Sequence, residues 1–392
     1  MPFKPQTRMQ LMIVAGEPSG DLHASHVVQA LKAKCSEISF HGMGGDMMEE
    51  AGVSLDIHIR DSAVMGFAEA FAVLPKFLKK QALLKKRIRQ QPPDALLLID
   101  FAEFNMPLAK YANAQGVPVV YYIPPKAWAW RPGRAKKLAK RANAIASIFP
   151  FETEFYQDAG APAEFVGHPL VDFAKTDLTP TQAREKLGLQ NNTQVIGLMP
   201  GSRRSEVQRM LPIMLKAAAN VVKDYADSEW VLPLAPGISE ELISHCTEGI
   251  EGVPTIKLLH DQTYAAMRAA TLMLITSGTA TLEAACIGSP MIILYRTSWL
   301  NWRIINALTP LEHSGLPNLI AKKRIVPELL QDDLTPNTLT ELTLDLLRNP
   351  EKLKTQRDSL NTVYQQLGES GAAERTAQLV LEQVASARNP TQ

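Results

Sequence analysis

The sequence predicts a two-domain α/β protein in which each domain is a parallel sheet covered on both faces by helices. Three observations carry this reading. The chain has 392 residues, more than one hydrophobic core usually serves. Short Leu-rich or β-branched runs alternate with longer stretches of helical period, the signature of parallel strands joined by crossover helices. The alternation breaks once: after His168-Pro169-Leu170 the chain turns polar, with Thr, Pro, Gln and Asn between Asp177 and Asn192, and then resumes. Such a break reads as a linker with a short helix. No short-period repeat is present, which removes a solenoid.

The first domain is expected over 1–172. Leu11 to Ala15 reads as a buried strand, followed by a Gly/Pro/Ser turn and a helix through Leu22 to Ala33. The same grammar recurs at Ala95 to Ile99, Val117 to Ile123 and Ile145 to Phe149. The second domain, 173–337, has strands at Val195 to Met199, Trp230 to Leu234, Thr255 to Leu258, Leu272 to Thr276 and Met291 to Tyr295. Residues 338–392 lack strand signals and are expected to be helical, packing on the first domain or on a partner chain. Two doubly wound domains place the carboxyl ends of both sheets around a central cleft, where ligands of such folds bind.

Composition narrows the function classes. With 46% apolar residues, 21% charged residues and a net charge of +1, the chain builds sizeable cores and is neither disordered nor a bulk nucleic-acid binder. Cys35, Cys246 and Cys286 stand singly, which gives no metal knuckle and no disulfide framework and fits a reduced, cytoplasmic protein. Leu11 to Ala15 is too short for a signal segment, and no run approaches the ~18 apolar residues of a membrane span. The histidines form no HExxH, His23 and His26 lack a third ligand in the sequence, and Asp-x-Asp is absent, so no metal is expected.

Six stretches carry candidate chemistry. Gly16-Glu17-Pro18-Ser19-Gly20-Asp21 joins a strand to a helix, where glycines let the backbone approach a ligand and exposed N–H groups suit an anion or a sugar hydroxyl. The plainer alternative is a turn that needs glycine. Asp100 ends a strand, with Glu103 and Asn105 just beyond. A carboxylate there suits a general base, or it serves as a helix cap. Pro200-Gly201-Ser202-Arg203-Arg204-Ser205-Glu206 adds guanidinium groups to a helix start, a combination suited to a diphosphate. Ser277-Gly278-Thr279-Ala280-Thr281-Leu282-Glu283 leaves room for a phosphate, and Glu283 can accept from ribose hydroxyls or simply complement the helix dipole. Trp128-Ala129-Trp130-Arg131 precedes Arg134, Lys136, Lys137, Lys140 and Arg141. That basic cluster is short for nucleic acid and better suits an anionic small molecule or a lipid headgroup. Between Phe71 and Gln91, seven Lys or Arg residues interleave with Phe77, Leu83, Leu84 and Ile88, just after the apolar stretch Val64 to Phe71. This is either a helix that rests on an anionic bilayer or a solvated crossover.

Together these stretches resemble one family, lipid-A-disaccharide synthase, an inverting glycosyltransferase family with the two-domain GT-B architecture. The matching segments are Ala15 to Asp21, Val64 to Phe67, Asp100 to Asn105, Trp128 to Arg131, Phe149 to Glu152, Phe165 to Pro169, Pro200 to Arg203, Ser277 to Thr279 and Leu316 to Leu319, in family order. The resemblance implies UDP-2,3-diacylglucosamine as donor and 2,3-diacylglucosamine 1-phosphate (lipid X) as acceptor. It implies Asp100 as base and Glu17 as a second carboxylate of unassigned role; Glu103, one carbon longer than the family's usual residue at its position, is the alternative that instead holds the acceptor or takes over as base. Gly16, Ser19, Gly20, Asn105, Trp128, Trp130 and Arg131 are expected on the acceptor side. Gly201, Ser202, Arg203, Ser277, Gly278, Thr279, Glu283 and Asn318 are expected on the donor side. No metal or cofactor is implied, and the family forms homodimers on the cytoplasmic face of the inner membrane. Two segments depart from the family pattern. Asp100-Phe101-Ala102-Glu103-Phe104-Asn105 lacks the usual proline and has Glu for the second Asp, and Pro124-Pro125-Lys126 stands where Ser-Pro-Ser is commoner. A UDP-sugar 2-epimerase or a non-catalytic membrane-surface scaffold are the competing readings.

Overall fold

Continuous apolar runs become the central strands of two all-parallel sheets, because a strand covered by helices on both faces needs no polar side. The structure, a computed structural model, describes residues 9–62, 70–128, 131–298 and 313–389, with 61–62 and 70–74 described by backbone alone. Two units are present, one comprising Met1–Pro169 with Gly368–Gln392 and the other Leu170–Leu367.

The first unit holds a seven-stranded sheet of β1 (Met9–Ala15), β2 (Ile38–Gly44), β3 (Ser54–His58), β4 (Ala95–Ile99), β5 (Val119–Tyr122), β6 (Ala144–Ser147) and β7 (Ala163–Phe165), in the order β3-β2-β1-β4-β5-β6-β7. Every residue of β4 is buried, as is all of β1 but Gln10. The second unit has β8 (Val195–Met199), β9 (Glu229–Pro233), β10 (Ile256–Leu259), β11 (Leu272–Thr276), β12 (Met291–Tyr295) and β13 (Glu328–Leu330), in the order β10-β9-β8-β11-β12-β13. In both sheets the strand order reverses beside the first strand, between β1 and β4 and between β8 and β11. The reversal opens a crevice at the carboxyl ends of those strands.

The expected strands are present, within a residue or two at their ends, and four more appear. β2 hides in the sequence because its interior is made of special contacts. A Cβ on Gly42 would lie 2.0 Å from the Ile13 carbonyl oxygen, and buried His41 meets Asp56 of β3 at 3.1 Å. β7 and β13 are short sheet edges of three residues each. The C-terminal segment divides differently from the expectation. Helices Pro336–Arg348 and Pro350–Gln366 belong to the second unit, where Gln356 accepts from the Met291 N–H at 3.0 Å. Helix Ala372–Arg388 belongs to the first, where Arg388 pairs with Asp94 at 2.7 Å and Arg375 Nε donates to the Val166 carbonyl at 2.8 Å.

Candidate active site

In the first unit the two loops at the reversal are Gly16–Glu17, after β1, and Asp100–Phe101, after β4. They fit against each other: a Cβ on Gly16 would fall 2.0 Å from the Phe101 ring, so this glycine is required by packing. Glu17 is exposed at the N-cap of helix Pro18–Lys34, Ser19 is exposed, and Gly20 is buried beneath them. Asp21 points away from the crevice and caps the short helix Asp46–Glu50, accepting from Gly45 at 2.7 Å and from Met47 and Met48 at 3.1 Å.

Asp100 and Phe101 both adopt left-handed backbone, each with φ of 46°, a conformation costing on the order of 1–3 kcal/mol per residue outside glycine. Their neighbours hold it. Asn105 Nδ2 donates to the Asp100 carbonyl at 2.9 Å and to that of Ile99 at 3.2 Å, and Tyr121 Oη donates to the Asp100 carbonyl at 2.7 Å. Phe101 stacks on Phe104 at 5.5 Å, and Phe77 packs edge-on to Phe104 at 4.9 Å. The turn thus lifts the Asp100 carboxyl out of the strand, half-buried. Burial and the Glu17 charge raise its pKa, opposed by Lys126 and the Phe101 N–H.

The remaining expected acceptor-side residues have distinct placements. Asn105 is fully buried and acts on the Asp100 turn. Glu103 is exposed and paired with Arg134 and, at 3.6 Å, with Arg131, so it neutralises part of the basic cluster rather than joining Asp100. Trp128 donates Nε1 to Glu152 Oε1 at 3.0 Å and stands edge-on to Phe151 at 5.1 Å. Trp130 lies outside the described residues. Lys126 and Glu152 were missed as site residues by sequence reasoning, although both fall in motifs it singled out. A glutamate in the first turn of a helix reads as a dipole complement, and nothing local shows that Glu152 is buried.

In the second unit the loops at the reversal follow β8 and β11. After β8, Gly201 has φ of +123° and a Cβ there would lie 2.7 Å from Glu206. The Glu206 carboxylate accepts from the Ser202 and Arg203 N–H groups at 3.3 Å and from Arg203 Nη1 at 3.1 Å. An internal carboxylate therefore occupies the start of helix Arg204–Val221, with Arg203 itself 79% exposed. After β11, Ser277 Oγ donates to the Ser314 carbonyl at 3.2 Å, and Gly278 precedes Thr279, the first residue of helix Thr279–Ile287. Glu283, one turn further on, has its pKa raised by burial. It lines a cleft of about 400 Å³ together with Lys175, Lys186, Asp261, Gln262 and Tyr264.

Asn318 is wholly buried, and both its donors and both its acceptor positions are filled. Nδ2 donates to Val326 O at 2.8 Å and to Glu328 Oε1 at 2.6 Å, while Oδ1 accepts from the N–H groups of Ile325 at 2.7 Å and Val326 at 2.9 Å. Glu328 in turn accepts from Ser314 N and Oγ, both at 2.9 Å. Asn318 thus reaches the β11 loop through Glu328, Ser314 and Ser277.

Two parallel sheets of this order, each with a charged glycine loop at its reversal, define a two-domain α/β protein of the GT-B kind. Solved structures share the fold: UDP-GlcNAc 2-epimerase from Neisseria meningitidis bound to UDP-GlcNAc is similar with a TM-score of 0.62 at 13% identity, covering 96% of this chain and 100% of that one. The glycosyltransferase of kitacinnamycin is similar with a TM-score of 0.62 at 14% identity, covering 97% and 100%. A family model described as lipid-A-disaccharide synthetase matches residues 11–383. Lipid-A-disaccharide synthase of Trichlorobacter lovleyi is 41% identical over 379 residues, covering 96% of this chain and 97% of the relative. That of Geobacter metallireducens is 39% identical over 381 residues, covering 97% and 98%. The chain belongs to the lipid-A-disaccharide synthase family.

Proposed function

We propose that this chain transfers 2,3-diacylglucosamine from its UDP conjugate to the 6-hydroxyl of 2,3-diacylglucosamine 1-phosphate, giving the β-1,6-linked disaccharide 1-phosphate and UDP. The observation that carries the proposal is the Asp100 turn. A strained, hydrogen-bonded backbone presents one carboxylate at the reversal of the first sheet in a chain that matches the family over its full length. Asp100 takes the proton of the acceptor hydroxyl as its oxygen bonds to the anomeric carbon, and the bond from that carbon to the diphosphate oxygen breaks with its electron pair leaving on UDP. One displacement inverts the anomeric centre and needs one base. Arg203 and the N–H groups of the Gly201 and Gly278 loops receive the diphosphate charge; Glu206 must release the Ser202 and Arg203 N–H groups together with the Arg203 guanidinium as the diphosphate arrives. Glu283 accepts from the ribose hydroxyls, which places the nucleoside against the cleft beside Tyr264 and Gln262. No metal enters this scheme. Among the described residues Asp46, Glu49 and His58 form a group with metal-ligand spacing, but its two carboxylates are exposed and that of Asp46 is paired with Arg60. Mass spectrometry of products from UDP-2,3-diacylglucosamine, with and without the acceptor, tests the reaction. Disaccharide 1-phosphate formed only with both substrates is the expected result, and UDP or an epimerised sugar without disaccharide overturns it.

Acyl substrates must be taken from a bilayer, and helix Ala70–Gln90 is built to meet one. Phe77, Gln81, Leu84 and Ile88 face the core, and Gln81 donates to the Phe104 carbonyl beside the Asp100 turn at 2.9 Å. The opposite side exposes Lys76, Lys79, Lys86 and Arg89 with Leu78, 54% exposed, and Leu83, 47% exposed. No described helix is long and apolar enough to cross a membrane. Of the apolar stretch Val64 to Phe71, residues 64–69 lie outside the described residues. Co-sedimentation is expected with vesicles containing anionic lipid and to weaken as salt rises, since surface charge is screened within about 10 Å at 0.1 M. Equal binding to neutral vesicles, or binding insensitive to salt, contradicts a peripheral electrostatic contact.

A further inference from the structure

We infer that Glu152 is a positioning residue for the acceptor side, a carboxyl kept neutral inside the first unit so that it fastens the Trp128 loop beside the base without adding a second negative charge there. The inference rests on the reaction proposed above.

Glu152 is 1% exposed. One oxygen accepts the Trp128 indole N–H at 3.0 Å, and the other, equally buried, has no hydrogen bond of good geometry. A carboxylate buried with so little compensation is expensive, and protonation removes most of that cost. Burial accordingly pushes the Glu152 pKa up from 4.5 to about 8. Trp128, the Ile148 N–H and Lys126 oppose the shift, whereas Asp100 adds to it. Tyr156 is a further titratable neighbour, its own pKa raised by burial and by Glu152 and opposed by Arg134, and its hydroxyl donates to the Pro125 carbonyl of the same loop. Helix Pro150–Asp158 therefore holds the 125–128 loop at two points, one of them a neutral acid. The arrangement matters because Asp100 must be ionised to act. Its pKa is already raised by burial and Glu17, and a charged Glu152 would push it further up. A neutral carboxyl gives the loop its anchor and spares the base this repulsion.

The test compares the full-length wild type with Glu152→Gln, Glu152→Ala, Trp128→Phe and the Glu152→Ala/Trp128→Phe double variant. Glutamine keeps the acceptor for the indole N–H and is neutral at every pH. It is expected to retain turnover within about threefold, whereas Glu152→Ala loses roughly ten- to a hundredfold in kcat/KM for the acceptor, the scale of a misplaced positioning group. UDP affinity, which reports the other unit, is expected to be unchanged in both. Trp128→Phe and Glu152→Ala are expected to be non-additive, the double variant no worse than the poorer single one.

A second readout needs no catalysis. Because the folded state binds the proton more tightly than the unfolded chain, stability should decline as pH rises from about 4.5 towards 8. The thermal midpoint of the wild type should fall relative to that of Glu152→Gln across this window. Glutamine as damaging as alanine, or additive effects of the two single changes, overturns the inference; so does a wild-type midpoint that runs parallel to Glu152→Gln. If the wild type makes no disaccharide, the reaction assignment fails separately, and the pH dependence of the midpoint still decides whether Glu152 is a neutral anchor.

Discussion

Asp100→Asn is expected to lower the rate of disaccharide formation about 10²- to 10⁴-fold, the usual contribution of a positioned general base. The substitution keeps the size of the side chain and leaves the turn intact, because the backbone is held through the Asp100 carbonyl by Asn105 and Tyr121 rather than through the carboxyl. UDP affinity is therefore expected to stay near the wild-type value. The acid limb of the rate profile carries a second signature. A base acts only when ionised, so the rate falls as pH drops through the Asp100 pKa, and burial together with Glu17 places that point above the ordinary aspartate range. Glu17→Gln removes one of the two causes and should move the limb to lower pH. Glu103→Gln should have a small effect, since Glu103 is exposed and occupied by Arg131 and Arg134. Loss of activity in Glu103→Gln with Asp100→Asn left active would assign the base to the wrong carboxylate.

The central strands and the loops after them were legible in the sequence because they follow from general requirements. A buried parallel strand is a short apolar run, and the strand-to-helix turns after β1, β8 and β11 contain glycine where a side chain would strike Phe101 or Glu206 or where a helix begins. What was not legible depends on distant partners. β2 carries glycines and a histidine because Ile13 and Asp56 face it, and both lie on other strands. Glu152 is fully buried beneath a tryptophan 24 residues earlier in the chain, a relation with no local period. The Asp100 turn gives another instance. The motif supplies Asp and Asn, but no pattern announces that Asn105 turns inward to stabilise two consecutive left-handed residues. Local grammar thus located the crevices, and long-range contacts decided which side chains face into them.

Asn318 and Arg203 are both expected on the donor side, and their different surroundings predict different effects when each is removed. Asn318→Ala removes four hydrogen bonds and leaves the N–H groups of Ile325 and Val326, the Val326 carbonyl and the Glu328 carboxylate with less than their full set. Buried groups left without partners cost about 1–3 kcal/mol each, so a loss of stability on the order of 3 kcal/mol or more is expected. UDP affinity should fall with it, because Glu328 holds Ser314, which accepts from Ser277. Arg203→Ala removes an exposed side chain whose partner in the protein is Glu206, and exposed pairs of this kind contribute little to folding. Its thermal midpoint should match the wild type while UDP binding weakens about tenfold or more through loss of a charge-assisted hydrogen bond. Calorimetric titration of UDP beside thermal unfolding separates the two cases. An Asn318→Ala protein as stable as the wild type but unable to bind UDP would make Asn318 a direct ligand contact, and unchanged UDP affinity in Arg203→Ala would remove the diphosphate from the β8 loop.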